Sequence, residues 1–518
     1  MIPSIFNDVI GPVMRGPSSS HSAGALRIGR LCRDLMNGKI KKVLIEYDPN
    51  GSLVTTHTSQ GTDMGLYGGF LGWEADEDRL PEYQKYIHEA GIDIKVSYVS
   101  YGAEHPNTYK ISLSNDIEKH QLTALSTGGG MIRVVEVDGF KILMDGDCFE
   151  LLIYLNSSSE NLQKRLNQEF DFIEVIEYPG LLQVKSNVPY EEKFLLEILE
   201  NPTVKDIRVL SPVLPVLKQK SIDLPFTNVA EMEKFAEGKD LTLWQLAMEY
   251  EKARSGLSSD ELWEKMKVIF KVMQQAIHTG LEGTEYDDRL LPSQSPKFKK
   301  QLADKKLIDA SALNQVIMQV SAVMESKSSM HTIVASPTAG SCGTLPGAVF
   351  GCATTMGSSE EQVIEALFAA GIIGVFIASG ATFAAEEAGC MAECGSASSM
   401  AAAALIHLGG GNLSQSLAAA SMSLQNSFGM ICDPVANRVE APCLGKNVMA
   451  ASNALSCANM SLSGYLHLIP LDEVIAAMAE VGKAIPHELC CTALGGLSVT
   501  PTAKSLEDKL ETRKFKSC

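Results

Sequence analysis

The segments EEAGCMAEC, residues 386–394, and CDPVANRVEAPC, residues 432–443, place four thiols among prolines and acids. Buried packing is the ordinary fate of any single cysteine. It is the reading for Cys352 and Cys457, which sit inside apolar helical runs. Cys390, Cys432 and Cys443 differ, because each stands beside a chain breaker or an acid. Such irregular positions aim thiolates inward from helix ends. Zinc favours paired CxxC knuckles, and the upstream pair is CxxxC. Three spread thiolates suit an iron–sulfur cluster better, with packing and other metals still open.

A second group of reactive side chains lies in RGPSSSHSAGALRIGR, residues 15–30. Ser18, Ser19, Ser20 and His21 form a polar turn leading into a helix. Free N–H groups and hydroxyls there suit a carboxylate; the plainer alternative is a serine-rich helix cap. SPTAGSCGTLPG, residues 336–347, is a parallel case. Its Thr338, Gly340 and Ser341 are placed for an anion-binding turn at a helix start.

The elements that must position these residues divide the 518-residue chain unevenly. Residues 1–147 read as an α/β domain. KKVLIEYDPNGSLVTTHT predicts a hairpin about Asn50-Gly51, and IRVVEVDGFKILM another about Asp138-Gly139. DIKVSYVS alternates as a strand, and RIGRLCRDLMNG reads as a helix. Residues 148–212 run strand, helix, strand, strand, helix, strand, the order of a ferredoxin-like domain. Residues 213–225 are a proline-punctuated linker. Residues 226–518 are rich in Ala, Met and Leu at helical spacing and predict an all-α domain with a C-terminal tail. The fold class is therefore α+β and multidomain.

Composition narrows the function. A net charge of −18 argues against nucleic acid or an anionic membrane as partner. The N-terminus lacks the basic and apolar regions of a secretory signal. Twelve cysteines without one suggest reduced thiols in a cytoplasm. Residues 366–385 are uncharged and long enough to span a bilayer. They lack aromatic and basic flanks, so a buried, close-packed helix is expected.

Together these motifs resemble the iron–sulfur-dependent L-serine dehydratases, with beta- and alpha-type halves fused. GPSSSHSAG, QGTD at 60–63, HPNTYKI at 105–111 and STGGGMI at 126–132 resemble the beta-type signatures. SPTAGSCGTLPG, EEAGCMAECGSASSMAAAAL, CDPVANRVEAPC and LGGLSVTPT resemble the alpha-type ones in order. The resemblance implies a [4Fe–4S] cluster on Cys390, Cys432 and Cys443, with one iron left open to substrate. It implies a β-elimination that converts L-serine, or a close β-hydroxy amino acid, to a 2-oxoacid and ammonia. Ser18, Ser19, Gln60, Asn107, Thr338, Ala339, Gly340, Ser341 and Arg438 would bind the substrate. Ser20 and His21 would do the catalytic work, His21 being the titratable ring in a hydroxyl cluster. Cys518, a thiol on a short tether, has a high effective concentration at any site it reaches. It is expected to occupy the fourth iron position. The middle domain resembles ACT domains, although its NSSSEN turn lacks the glycine of those that bind amino acids.

Several positions depart from the family pattern. Gln60 stands where a histidine usually precedes GTD, and Gln cannot serve as a proton base; His57 lies three residues earlier. Asn437 and Arg438 follow CDPV in place of Gly and an apolar residue. Arg438 or Lys327 would pair with a second acidic group on another substrate, such as an acidic analogue; threonine and cysteine are further alternatives. A pyridoxal-phosphate enzyme is a rival reading, though no lysine has a Ser/Gly setting suited to a Schiff base. A catalytically inactive iron–sulfur sensor is the non-enzyme rival, and 2-oxoacid release from an amino-acid panel separates it. The expected partner is a small amino-acid substrate, and the expected assembly a homodimer.

Overall fold

The computed structural model describes residues 2–157, 160–170, 172–215 and 223–516. Sheets lie mainly in the N-terminal half and helices dominate the C-terminal half, where the strand Ile333–Val334 departs from the expected all-α domain. A five-stranded sheet runs in the order Asp93–Tyr98, Lys42–Tyr47, Thr108–Ser114, Lys119–Gly128, Met131–Val137. Its first pair is parallel and the rest antiparallel. The helix Gly24–Leu35 turns Ala25, Ile28, Leu31, Cys32 and Leu35 into one core with Val43, Ile45, Ile111 and Leu122 of the strands.

The Asp138-Gly139 hairpin is present. Both residues have positive φ, and Val137 and Phe140 exchange backbone hydrogen bonds of 3.0 and 2.8 Å. The Asn50-Gly51 hairpin is not. Lys42–Tyr47 already has Asp93–Tyr98 on one edge and Thr108–Ser114 on the other. No edge is left for a returning strand, so the chain turns into a short helix, Leu53–Thr56. The Asp48 carboxylate stabilises that turn by accepting from the N–H groups of Asn50, Tyr101, Gly102 and Ala103 at 2.8–3.1 Å. The turn is Asp48-Pro49-Asn50-Gly51, closed by the Gly51 N–H on the Asp48 carbonyl at 2.9 Å, and sheet topology decided what followed it.

A second, antiparallel sheet has the order Val204–Leu210, Phe149–Leu155, Leu181–Ser186, Glu174–Tyr178. The helices Glu160–Glu169 and Glu192–Leu199 accompany it. In the helical half, Ser258 caps Ser259–Glu282 through a capping box with Glu261.

One described helix, Glu360–Gly380, is long and apolar enough to cross a membrane, but 78% of its apolar window is buried within the molecule. The N-terminal segment supplies part of that cover. Ile5, Phe6, Val9, Ile10 and Met14 belong to the core of the helical half. Ile5 lies against Gly371 and Val9 against Gly374, where a Cβ would come within 2.4 and 2.1 Å of them. The small residues of this helix therefore make room for a segment distant in sequence. Val13–Met14 then pairs with Ile333–Val334, just before the PTAGS turn. Ile5→Ala should cost about 3 kcal/mol, read as a lower denaturant midpoint for the helical half. An unchanged midpoint would mean that the segment lies on the core without supporting it.

Candidate active site

The serine-rich turn folds as a five-residue π-helical turn, Ser19–Ala23, leading into Gly24–Leu35. Turns of this kind recur at functional sites. Ser18 caps it and accepts from the His21 N–H. The His21 ring is fully buried. Its Nε2 lies 2.9 Å from Thr56 Oγ1, and its Nδ1 lies 3.0 Å from Ser18 Oγ and 3.4 Å from Glu386 Oε1. The Thr56 hydroxyl donates its one proton to the Ser52 carbonyl at 2.7 Å. It therefore accepts from Nε2–H, which leaves the Nδ1 lone pair of the neutral ring facing Ser18 and Glu386. Burial holds the His21 pKa below its ordinary value, while the Glu386 carboxylate opposes that shift. The ring is thus a neutral base whose protonated form has an anion waiting beside it.

The second loop meets the first. The backbone N–H of Ala339 donates to Ser19 Oγ at 3.2 Å, joining the PTAGS turn to the serine turn. Within that turn, Thr338 Oγ1 and Ser341 Oγ lie 3.2 Å apart, and Asn447 Nδ2 donates to the Gly340 carbonyl at 2.8 Å. Ser126 Oγ donates to the Ser20 carbonyl at 2.8 Å. The Asn107 side chain accepts from Ser52 Oγ, and its buried Nδ2 has no hydrogen-bond partner among the described residues. A buried amide N–H left unpaired is costly and suits an acceptor brought in by a ligand.

Gln60 is buried, with Nε2 3.4 Å from both Asn437 Oδ1 and Cys491 Sγ. Asn437, at φ 55°, donates through Nδ2 to the Thr55 carbonyl at 2.5 Å. Arg438 donates to the Ser59 carbonyl at 3.2 Å and pairs with Asp288. Lys327 donates to the Val439 carbonyl. Both cations already have partners inside the protein, so neither stands ready for a second acidic group on a substrate. His57 is likewise engaged, by Asp63 at 2.9 Å and Tyr98 OH at 2.9 Å.

The thiols gather nearby. Cys390, Cys432 and Cys491 share one buried apolar cluster with Ala385 and Met430. The Cys432 thiol is in hydrogen-bond contact with those of Cys390 and Cys491, which raises its pKa, and burial adds to the rise. Burial, with Cys390 alongside, also raises the Cys443 pKa. Lys446 Nζ lies 3.8 Å from Cys390 Sγ and 2.7 Å from Asp433 Oδ1. Burial opposes its charge, yet Cys390 and Asp433 hold its pKa above the ordinary value.

Among the described residues, no three His, Cys, Asp or Glu side chains are set to hold a single metal ion. The donors that do assemble are sulfurs from separate segments beside a cation, a set whose chemistry fits an iron–sulfur cluster. Cys352 and Cys457 lie elsewhere, in the helices Thr344–Met356 and Cys443–Leu462. Cys518, and Ser158 and Ser159 of the NSSSEN turn, lie outside the described residues, as do residues 216–222 of the expected linker.

Sequence reasoning gave no role to Thr56, Glu386 or Cys491. The Cys490-Cys491 doublet and the Glu386-Glu387 pair were visible signals. Nothing local marks Thr56 as the partner of His21.

Residues 238–498 match the family model for the serine dehydratase alpha chain. The probable L-serine dehydratase alpha chain of Bacillus subtilis is 36% identical over 285 residues, 55% of this chain and 95% of that one. The probable beta chain of the same organism is 37% identical over 153 residues, 30% of this chain and 68% of its own length. The L-serine dehydratase of Helicobacter pylori is 26% identical over 500 residues, covering 94% of this chain and 96% of that one. The chain therefore belongs to the serine dehydratase family, with beta-type and alpha-type parts fused in one polypeptide.

Proposed function

We propose that this chain is an L-serine ammonia-lyase that converts L-serine to pyruvate and ammonia, using a [4Fe–4S] cluster held by Cys390, Cys432 and Cys443. The observation that supports the reading is a buried histidine base 3.4 Å from Glu386, on the same short helix as Cys390, whose thiol clusters with that of Cys432 and acts on that of Cys443.

A cluster with three cysteine ligands supplies an iron that can take oxygen ligands and polarise them. The rest of the chemistry falls to the chain. Asn107 Nδ2 is an unpaired donor for the substrate carboxylate. The Ser19 hydroxyl, which accepts from the Ala339 N–H, keeps its own proton as a further donor, whereas the protons of Ser18, Thr338 and Ser341 are given to His21, Glu393 and the Ser336 carbonyl. His21 takes the Cα proton at Nδ1, directly or through the Ser18 hydroxyl 3.0 Å away. Glu386 then stabilises the imidazolium. Loss of the β-hydroxyl gives an enamine, which tautomerises to an imine and is hydrolysed to the 2-oxoacid and ammonia.

The internal partners of Arg438 and Lys327 favour serine over a substrate with a second acidic group. The 4-1-3-2 order of the four-stranded sheet supports a ferredoxin-like reading of residues 148–212.

Anaerobically purified protein with measured iron and sulfide, offered a panel of β-substituted amino acids, tests the reading. Pyruvate release should be fastest from L-serine. Iron-replete protein that releases no 2-oxoacid from any of them would sink it.

A further inference from the structure

Glu393 stands on a second five-residue π-helical turn, Met391–Gly395, which enters the buried helix Ser396–Leu408. This turn is linked to the one that carries His21. Ser19 Oγ accepts from the N–H of Ala339, and the neighbouring Thr338 donates through Oγ1 to Glu393 Oε1 at 2.6 Å. Gly340 lets the carboxyl approach, since a Cβ there would stand 2.6 and 2.7 Å from its two oxygens. Glu393 is partly buried as a residue, but its carboxyl end is packed against Thr338 and Gly340.

The ionisable groups around it come from every neighbouring element. Glu386 lies on Ala385–Cys390, Lys327 on Ala312–Ser328, and Lys446 and Cys443 on Cys443–Leu462; Cys342 follows the PTAGS turn, and Cys394 is the next residue. Burial pushes the Glu393 carboxyl up to about 7, and Glu386 adds to the shift. The Thr338 hydrogen bond, Lys327 and Lys446 offset part of it.

We propose that Glu393 is a second proton-transfer residue of the elimination, linked to His21 through the Ala339 contact and supplying the proton with which the substrate hydroxyl leaves as water. The inference rests on the serine-eliminating reading. His21 accepts the Cα proton, and the C–H electron pair becomes the Cα–Cβ double bond. The Cβ–O bond breaks with its pair on oxygen, which takes the Glu393 proton. One proton is taken up and one released by the protein; the carboxylate is then reprotonated from solvent and the His21 imidazolium returns its proton to solvent.

The test measures kcat for pyruvate release against pH on anaerobic, iron-loaded protein. Wild type should lose activity as pH rises through about 7, because the acid form of Glu393 is the one required. Glu393→Gln should lower kcat about 100-fold and remove that basic limb, with iron content and visible spectrum unchanged. Glu393→Asp should restore the limb in part. A basic limb that persists in Glu393→Gln would overturn the proposal. Loss of iron from both variants would make Glu393 a support of the thiol pocket and overturn it too. A wild type with no pyruvate release would overturn the underlying reading, and the proposal with it.

Discussion

Replacing Cys390, Cys432 or Cys443 by Ser should bring bound iron from about four per chain to background, and serine turnover with it. Serine keeps the shape but offers a poor hydroxyl donor in place of a soft thiolate. All three sulfurs are buried, and each sits at an irregular point of the chain. Cys390 follows Ala388 and Gly389, which break helical geometry; Cys432 precedes a short 3-10 turn; Cys443 opens a helix. A substitute there cannot be rescued by solvent. Cys352→Ser should leave iron intact. Cys491→Ser is the informative neighbour, since Cys491 touches Cys432 and Gln60 without belonging to the proposed ligand set. Iron analysis and the visible spectrum of each variant decide the matter. A full cluster in Cys432→Ser would refute the assignment.

His21→Ala should lower kcat about a thousand-fold while the cluster spectrum stays as in wild type. The ring has a partner at each nitrogen, and Thr56 directs the lone pair to Nδ1. Thr56→Val should cost less, because it frees the ring to change tautomer without removing the base. Glu386→Gln should weaken the base by removing the carboxylate that favours imidazolium. Steady-state turnover and loss of label from Cα-deuterated serine measure all three. Near-normal turnover in His21→Ala would pass the base role to His57, which would first have to leave Asp63 and Tyr98.

Local chemistry was legible in the sequence. Breakers beside Cys390, Cys432 and Cys443 marked them, and serines before a helical pattern marked the His21 turn. Missing flanks marked residues 366–385 as a buried helix, and the structure has a mostly buried helix at Glu360–Gly380. The Asp138-Gly139 turn depends on a few adjacent residues and was readable for that reason. The Asn50-Gly51 hairpin failed because strand pairing is a competition, and both edges of Lys42–Tyr47 were already taken. Packing of the N-terminal segment on Gly371 and Gly374, Thr56 and Glu386 around His21, and Cys491 beside Cys432 were decided only by the tertiary structure. Residue type and spacing say what a side chain can do. Which groups lie beside it depends on segments distant in the chain, and only the folded chain brings those together.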